Sequence, residues 1–187
     1  MMTATDILRK EHEAILRMLD ATEEVARRLD DGESVPQETL TGLLEFFRLF
    51  ADRCHHGKEE DLLFPILEKK GVPRAGGPLS VMLADHEMGR SLIQKMAESA
   101  DIYGGSAEAG TCWARSARAY VVLLREHISI ENDMLFVLAE ALLTRTEQAA
   151  LAQSFERMEE EKMGPGTHER LHSLMDGLTA EIASHQH

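Results

Sequence analysis

From Thr111 to Leu143 the sequence places Tyr120, Leu123, Leu124, His127, Ile130, Glu131, Met134 and Leu138 at helical spacing. A stripe of that length predicts a long amphipathic helix that must bury one face against neighbours. An imidazole and a carboxylate inside the stripe add a second constraint. A buried carboxylate without a partner costs several kcal/mol or a large pKa shift, so the fold has to supply partners.

The rest of the chain has the same character. Thr5 or Asp6 is expected to cap a first helix to about Leu29, with Leu8, His12, Ile15 and Leu19 on one side. Ser34, Pro36 and Gln37 read as a second start, with a capping box, ahead of Leu40, Leu43, Leu44, Phe47, Phe50 and Ala51. Pro65 is expected to kink or restart that helix. A third helix is expected from about Leu79 to Ser99, and DIYGGSAEAG reads as a flexible connection to the fourth. No segment reads as a strand. Sparse aromatics, at 5%, and abundant Ala, Leu, Glu, Met and Arg agree with helix. The expected fold is all-α: an antiparallel up-down four-helix bundle over residues 1–143. Two extra C-terminal helices over residues 144–187 follow, the first capped by Thr144 and Glu147 and ending near Met163, the second beginning after Gly164-Pro165-Gly166. Both are strongly charged and expected to pack on the bundle.

Each of the four core helices carries a histidine near its apolar side: His12, His55 or His56, His86 and His127. In CHHGKEEDLLFP, His55 and Glu59 are four apart, as are His56 and Glu60; His127 and Glu131 repeat the spacing. Residues four apart share a helix face, so each pair can grip one ion. Spacing alone leaves the choice between His55-Glu59 and His56-Glu60 open. Imidazole and carboxylate without thiolate suit iron, manganese or zinc, and two carboxylates able to bridge point to two ions. If two octahedral ions share both glutamates and one solvent-derived bridge, four histidines leave one open position on each.

The pieces KEHEAIL, HHGKEEDLLFPIL, DHEMGR and REHISIENDMLF resemble the hemerythrin-like, HHE cation-binding family over about Thr3 to Leu143. The resemblance implies a four-helix bundle around two iron ions bridged by oxo or hydroxo. It places the ligands on His12, His55, Glu59, His86, His127 and Glu131, with the glutamates as bridges. His56 and Glu60 then become surface groups or groups behind the ligands. Oxygen-carrying hemerythrins have a further histidine where this chain has Arg90, which implies a more open site and weakens the case for oxygen carriage. The four-His, two-Glu set is also similar to the di-iron domain of proteins that repair iron–sulfur centres. Those carry an N-terminal cysteine-bearing segment, whereas this sequence starts at the first helix, which weakens the case for repair.

The function implied is binding, sensing or reducing a small oxygen or nitrogen species: O2, NO or peroxide. The alternative is iron storage or donation, or reporting iron and oxygen status, without turnover. Tyr120 fits either a hydrogen-bond donor near the metals or a core tyrosine. His168 and His172, an i,i+4 pair, fit either a charged covering helix or a group that reaches the site. Cys54 reads as core filler. A net charge of −13 argues against general binding to nucleic acid or anionic membranes. Two cysteines imply no disulfide framework, and the lack of a signal peptide or long apolar run makes a cytoplasmic protein the expectation.

Overall fold

The computed structural model describes residues 2–164 and 166–184, and among them the regular structure is helical throughout. Helix α1 spans Ala4–Asp30. Its cap is Thr3, not Thr5 or Asp6. The Thr3 hydroxyl accepts from the Asp6 N–H while the Asp6 carboxylate accepts from the Thr3 N–H, a reciprocal pair that fixes the start.

The second helical rod changes pitch along its length. It begins as α2 (Gln37–Phe46), runs through π-helical turns at Phe47–His56 and Glu59–Leu63, and ends as α3 (Phe64–Lys69). The capping box expected at Ser34 does not form: Pro36 is the N-cap and makes no side-chain bond. Pro65 falls in the first turn of α3, where its missing N–H costs little, and the wide turn before it replaces a kink. Helix α4 spans Pro78–Asp101. Helix α5 (Ala107–Ile130) starts earlier than Thr111, because Ser106 caps it through the Ala109 N–H. It continues through a π turn at Glu131–Leu135 into α6 (Phe136–Leu142).

That π turn re-aims the stripe. Beyond Glu131 the buried positions are Leu135, Phe136 and Ala139, whereas Met134 is 46% exposed and Leu138 only half-buried. A wider turn shifts the phase of every later residue. The expected burial of Met134 is thus corrected.

The buried apolar side chains form two clusters. Along α1, Leu8 belongs to one and Ile15 to the other, with His12 between. On the second rod the order reverses, from Phe50 to Leu63, with His55 and Glu59 between. It reverses again on α4, from Met82 to Ile93 around His86, and again from Leu124 to Leu135 around His127 and Glu131. A polar layer is sandwiched between two apolar ones.

Helix α7 (Arg145–Met163) is capped by Thr144 and Glu147 as expected, and α8 spans Thr167–Ser184. Leu151 and Phe155 of α7 join one cluster; Leu171, Met175, Leu178 and Ile182 of α8 join the other. Gly42 lets α8 approach α2: a Cβ there would lie 3.1 Å from Leu178 Cδ2. Among the described residues no helix is long and apolar enough to cross a membrane.

Candidate metal centre

The polar layer gathers His12, His55, Glu59, His86, His127 and Glu131, each almost fully buried. Their donor atoms form two groups: His12 and His55 with Glu59 and Glu131, and His86 and His127 with the same two glutamates. Both carboxylates are common to both groups, the arrangement a pair of bridged ions needs.

The imidazoles are held from behind. His55 Nδ1 is 2.8 Å from Glu11 Oε2 and His12 Nδ1 is 3.0 Å from Asn132 Oδ1. His86 Nδ1 is 2.7 Å from Glu60 Oε1, and His127 Nδ1 is 3.4 Å from Asp85 Oδ2. All four partners are oxygen acceptors, so the ring proton sits on Nδ1 and the Nε2 lone pair faces inward. There His12 and His127 Nε2 approach Glu131 at 3.2 and 3.3 Å. His55 and His86 Nε2 approach Glu59, each at 3.5 Å.

The donor set fits a cation. All four oxygens of Glu59 and Glu131 are buried and accept no hydrogen bond, and His12 and His55 Nε2 are likewise without a hydrogen-bond partner. His86 and His127 Nε2 lie 3.1 Å apart, nitrogen to nitrogen. Two inward lone pairs at that distance require a positive charge between them. Burial alone would lower the pKa of His86, yet Glu59 and Glu60 push it up to about 9. The pocket favours positive charge, whether proton or metal.

His56 and Lys58 are also buried. His56 stacks on His86, with ring centroids 3.9 Å apart, and burial holds its pKa well below the usual range. Glu60 braces His86 and also accepts from Arg90 at 2.6 Å. Tyr120 meets Phe47 edge-on and lines a cleft of about 140 Å³ with Asp52, His56 and Arg90. Burial pushes its phenol pKa well above the ordinary value.

Lys58 extends the network away from the layer. It donates to Glu11, which holds His55, and to Glu159 of α7 at 2.9 Å. Glu159 also contacts His168 Nδ1 at 2.7 Å, and His168 and His172 Nε2 are 2.9 Å apart. Burial opposes ionisation of Glu159, but His168 and Lys58 outweigh it and hold its pKa at about 2. Among the described residues, polar contacts link His168 and His172 to the His/Glu layer through Glu159, Lys58, Glu11 and His55. Cys54 is buried beside Glu159, at 3.9 Å, and burial pushes its thiol up to about 12, which makes it inert. A cleft of about 620 Å³ between α4 and α5, near Ile102 and Cys112, holds none of these residues.

Sequence reasoning missed Glu11, Asp52, Lys58, Asp85 and Asn132. Asp52 was accessible, since it lies four residues before His56 and bonds it at 3.4 Å. Asp85 gave no such signal: it neighbours His86 in sequence but contacts His127.

A family model described as the hemerythrin HHE cation binding domain matches residues 3–139. The iron-sulfur cluster repair protein YtfE of Enterobacter sp. (strain 638) is 33% identical over 124 residues, 64% of this chain and 54% of that protein. YtfE of Escherichia coli O1:K1 / APEC is 32% identical over the same length. The protein Rv1995 of Mycobacterium tuberculosis (strain ATCC 25618 / H37Rv) is 26% identical over 164 residues, 87% of this chain and 64% of that protein. The chain thus spans about half the length of the YtfE relatives it matches. No solved structure matches it.

Proposed function

The chain belongs to the hemerythrin HHE cation-binding domain family, and on that premise we propose that it is a dinuclear non-haem iron protein that binds, senses or reduces O2, NO or peroxide. The observation that carries this reading is the pair of shared glutamates, Glu59 and Glu131, whose buried oxygens accept no hydrogen bond and face the imidazoles of four helical rods. His12 and His55 would hold one ion and His86 and His127 the other, both glutamates bridging, together with an oxo or hydroxo bridge. Manganese and zinc accept the same donors; two bridging carboxylates with open positions favour iron. When bound, the metals supply electrons and a Lewis acid.

The chain's own residues orient and exclude. Glu11, Asn132, Glu60 and Asp85 fix the four rings with Nε2 inward, and Phe136, stacked on His12 at 5.3 Å, walls one side. The alternating order of the apolar clusters supports an antiparallel up-down four-helix bundle over residues 1–143, with 144–187 as an extension packed on it. A small diatomic or peroxide is the partner this buried layer suits; nucleic acid and membrane are not, given the charge of −13. A cytoplasmic setting is part of the proposal. Iron–sulfur repair comes from the name of the YtfE relatives and enters here as one setting for the same chemistry.

Elemental analysis with an optical spectrum before and after azide tests the reading. About two irons per chain and near-ultraviolet bands that shift with azide support it. No metal, or one zinc without such bands, sinks it. Two labile irons with no azide response and no turnover of peroxide favour the alternative of storage, donation or status sensing.

A further inference from the structure

We propose that His168 and His172 of α8 form a metal site of their own, outside the His/Glu layer, that takes a divalent ion of the nickel, copper or zinc kind. The run His168-Glu169-Arg170-Leu171-His172 sets two imidazoles one turn apart on one helix face. Their Nε2 atoms lie 2.9 Å apart. Two nitrogens bonded to one ion at about 2.0–2.1 Å, at right angles to each other, are separated by about 2.9 Å. The rings already stand at a chelating distance. Glu169 is exposed, and the site is one of binding alone.

Neighbouring side chains hold both rings. Phe50 of the second rod meets His172 edge-on, with centroids 5.6 Å apart, and His168 at 5.7 Å. Leu171 and Met175, on the same face of α8, are buried and fix that face against the bundle. His168 Nδ1 lies 2.7 Å from Glu159 Oε1, and Lys58 holds the other oxygen of that carboxylate. A carboxylate behind one ring nitrogen leaves the lone pair of the other for a metal. Glu159 pushes the His168 pKa up, so this corner favours positive charge, whether from a proton or a metal. Burial lowers the pKa of His172, which keeps its ring neutral and able to ligate.

A cleft of about 460 Å³ opens beside the pair, lined also by Lys10, Glu11, Glu13 and Arg17, with Arg17 paired to Asp176 at 3.3 Å. It leaves room for water at the remaining coordination positions. The nearby group of Cys54, Glu159 and His168 is the rival arrangement. It suits a cation less well, because Lys58 donates to Glu159 and burial keeps the Cys54 thiol protonated. The metal-free account of the short distance is a hydrogen bond from His172 to His168, and it predicts no uptake of metal.

Equilibrium dialysis of the iron-loaded full chain against nickel(II), with iron and nickel both measured by elemental analysis, tests the site. The expected result is one nickel per chain with the iron content unchanged. That nickel should be lost in His168→Ala and in His172→Ala, and retained in His185→Ala/His187→Ala. Glu159→Gln, whose amide oxygen still accepts from His168, should bind nickel about tenfold to a hundredfold more weakly. Iron content in the same samples reports the dinuclear reading separately. No nickel in the parent, nickel that enters only as iron leaves, uptake that survives His172→Ala, or uptake lost with His185 and His187 instead overturns the proposal. Nickel that depends on His168 and His172 in a chain that takes up no iron upholds it while the dinuclear reading fails.

Discussion

Replacing Lys58 by Met should destabilise the protein strongly, and the structure sets the size. Lys58 is 1% exposed and lies between Glu11, which is 5% exposed, and Glu159, whose side chain is 25% exposed. Methionine keeps the unbranched stem and its packing but removes the ammonium, so the loss is electrostatic. Glu11 is left with His55 alone; breaking a buried pair by removing one partner costs about 3–5 kcal/mol. Glu159 can rehydrate and adds about 0–1 kcal/mol. The sum is about 3–6 kcal/mol, so at about 2–4 °C per kcal/mol for a chain of this size Tm should fall by about 6–24 °C. The assay is urea and thermal unfolding of chelator-treated protein, so that metal binding does not mask the change. Adding Glu11→Gln should restore part of the loss, because the amide oxygen still accepts from His55 without a stranded charge. A Lys58→Met protein within 1 kcal/mol of the parent would refute the reasoning, since it would mean that Glu11 never depended on the ammonium.

Phe136→Ala, which empties a fully buried site against His12, should cost about 3–5 kcal/mol in chemical denaturation; a cost below 1 kcal/mol would mean that the ring does not wall the layer. Gly42→Val should lose about 1–3 kcal/mol by pressing on Leu178, and Leu178→Ala in the same chain should cancel part of that penalty in a double-mutant cycle; strict additivity contradicts the close approach of α8. The Glu159 pKa is depressed from 4.5 to about 2, so its contribution is present above pH 4.5 and lost as pH falls toward 2. Acid titration of the chelator-treated protein should show a smaller stability decline over that window in Glu159→Gln; identical slopes refute this.

The helices and the His/Glu pairing within one turn could be read from local spacing, whereas the choice of His55 and Glu59 over His56 and Glu60 came from the family resemblance and not from spacing. His127 and Glu131, or His55 and Glu59, share a face wherever the bundle sits. What spacing could not give is what changes the spacing itself. The π turns at Phe47–His56, Glu59–Leu63 and Glu131–Leu135 alter the number of residues per turn. They shift the phase of the residues that follow, and Met134 ends up exposed. The supporting oxygens were hidden for another reason. Glu11 serves His55, Asp85 serves His127 and Asn132 serves His12, pairings between rods that no window along one helix contains. The caps divide on the same line. Thr144 and Glu147 close a box within one turn, whereas Ser34 lies outside a helix that Pro36 starts.

Anomalous diffraction from iron-loaded crystals, collected on either side of the iron absorption edge, tests the central claim most directly. The account predicts two peaks flanking the Glu59 and Glu131 carboxylates, one bonded by His12 and His55 and the other by His86 and His127. No peak in this layer, or a single ion touching only one glutamate, would contradict it.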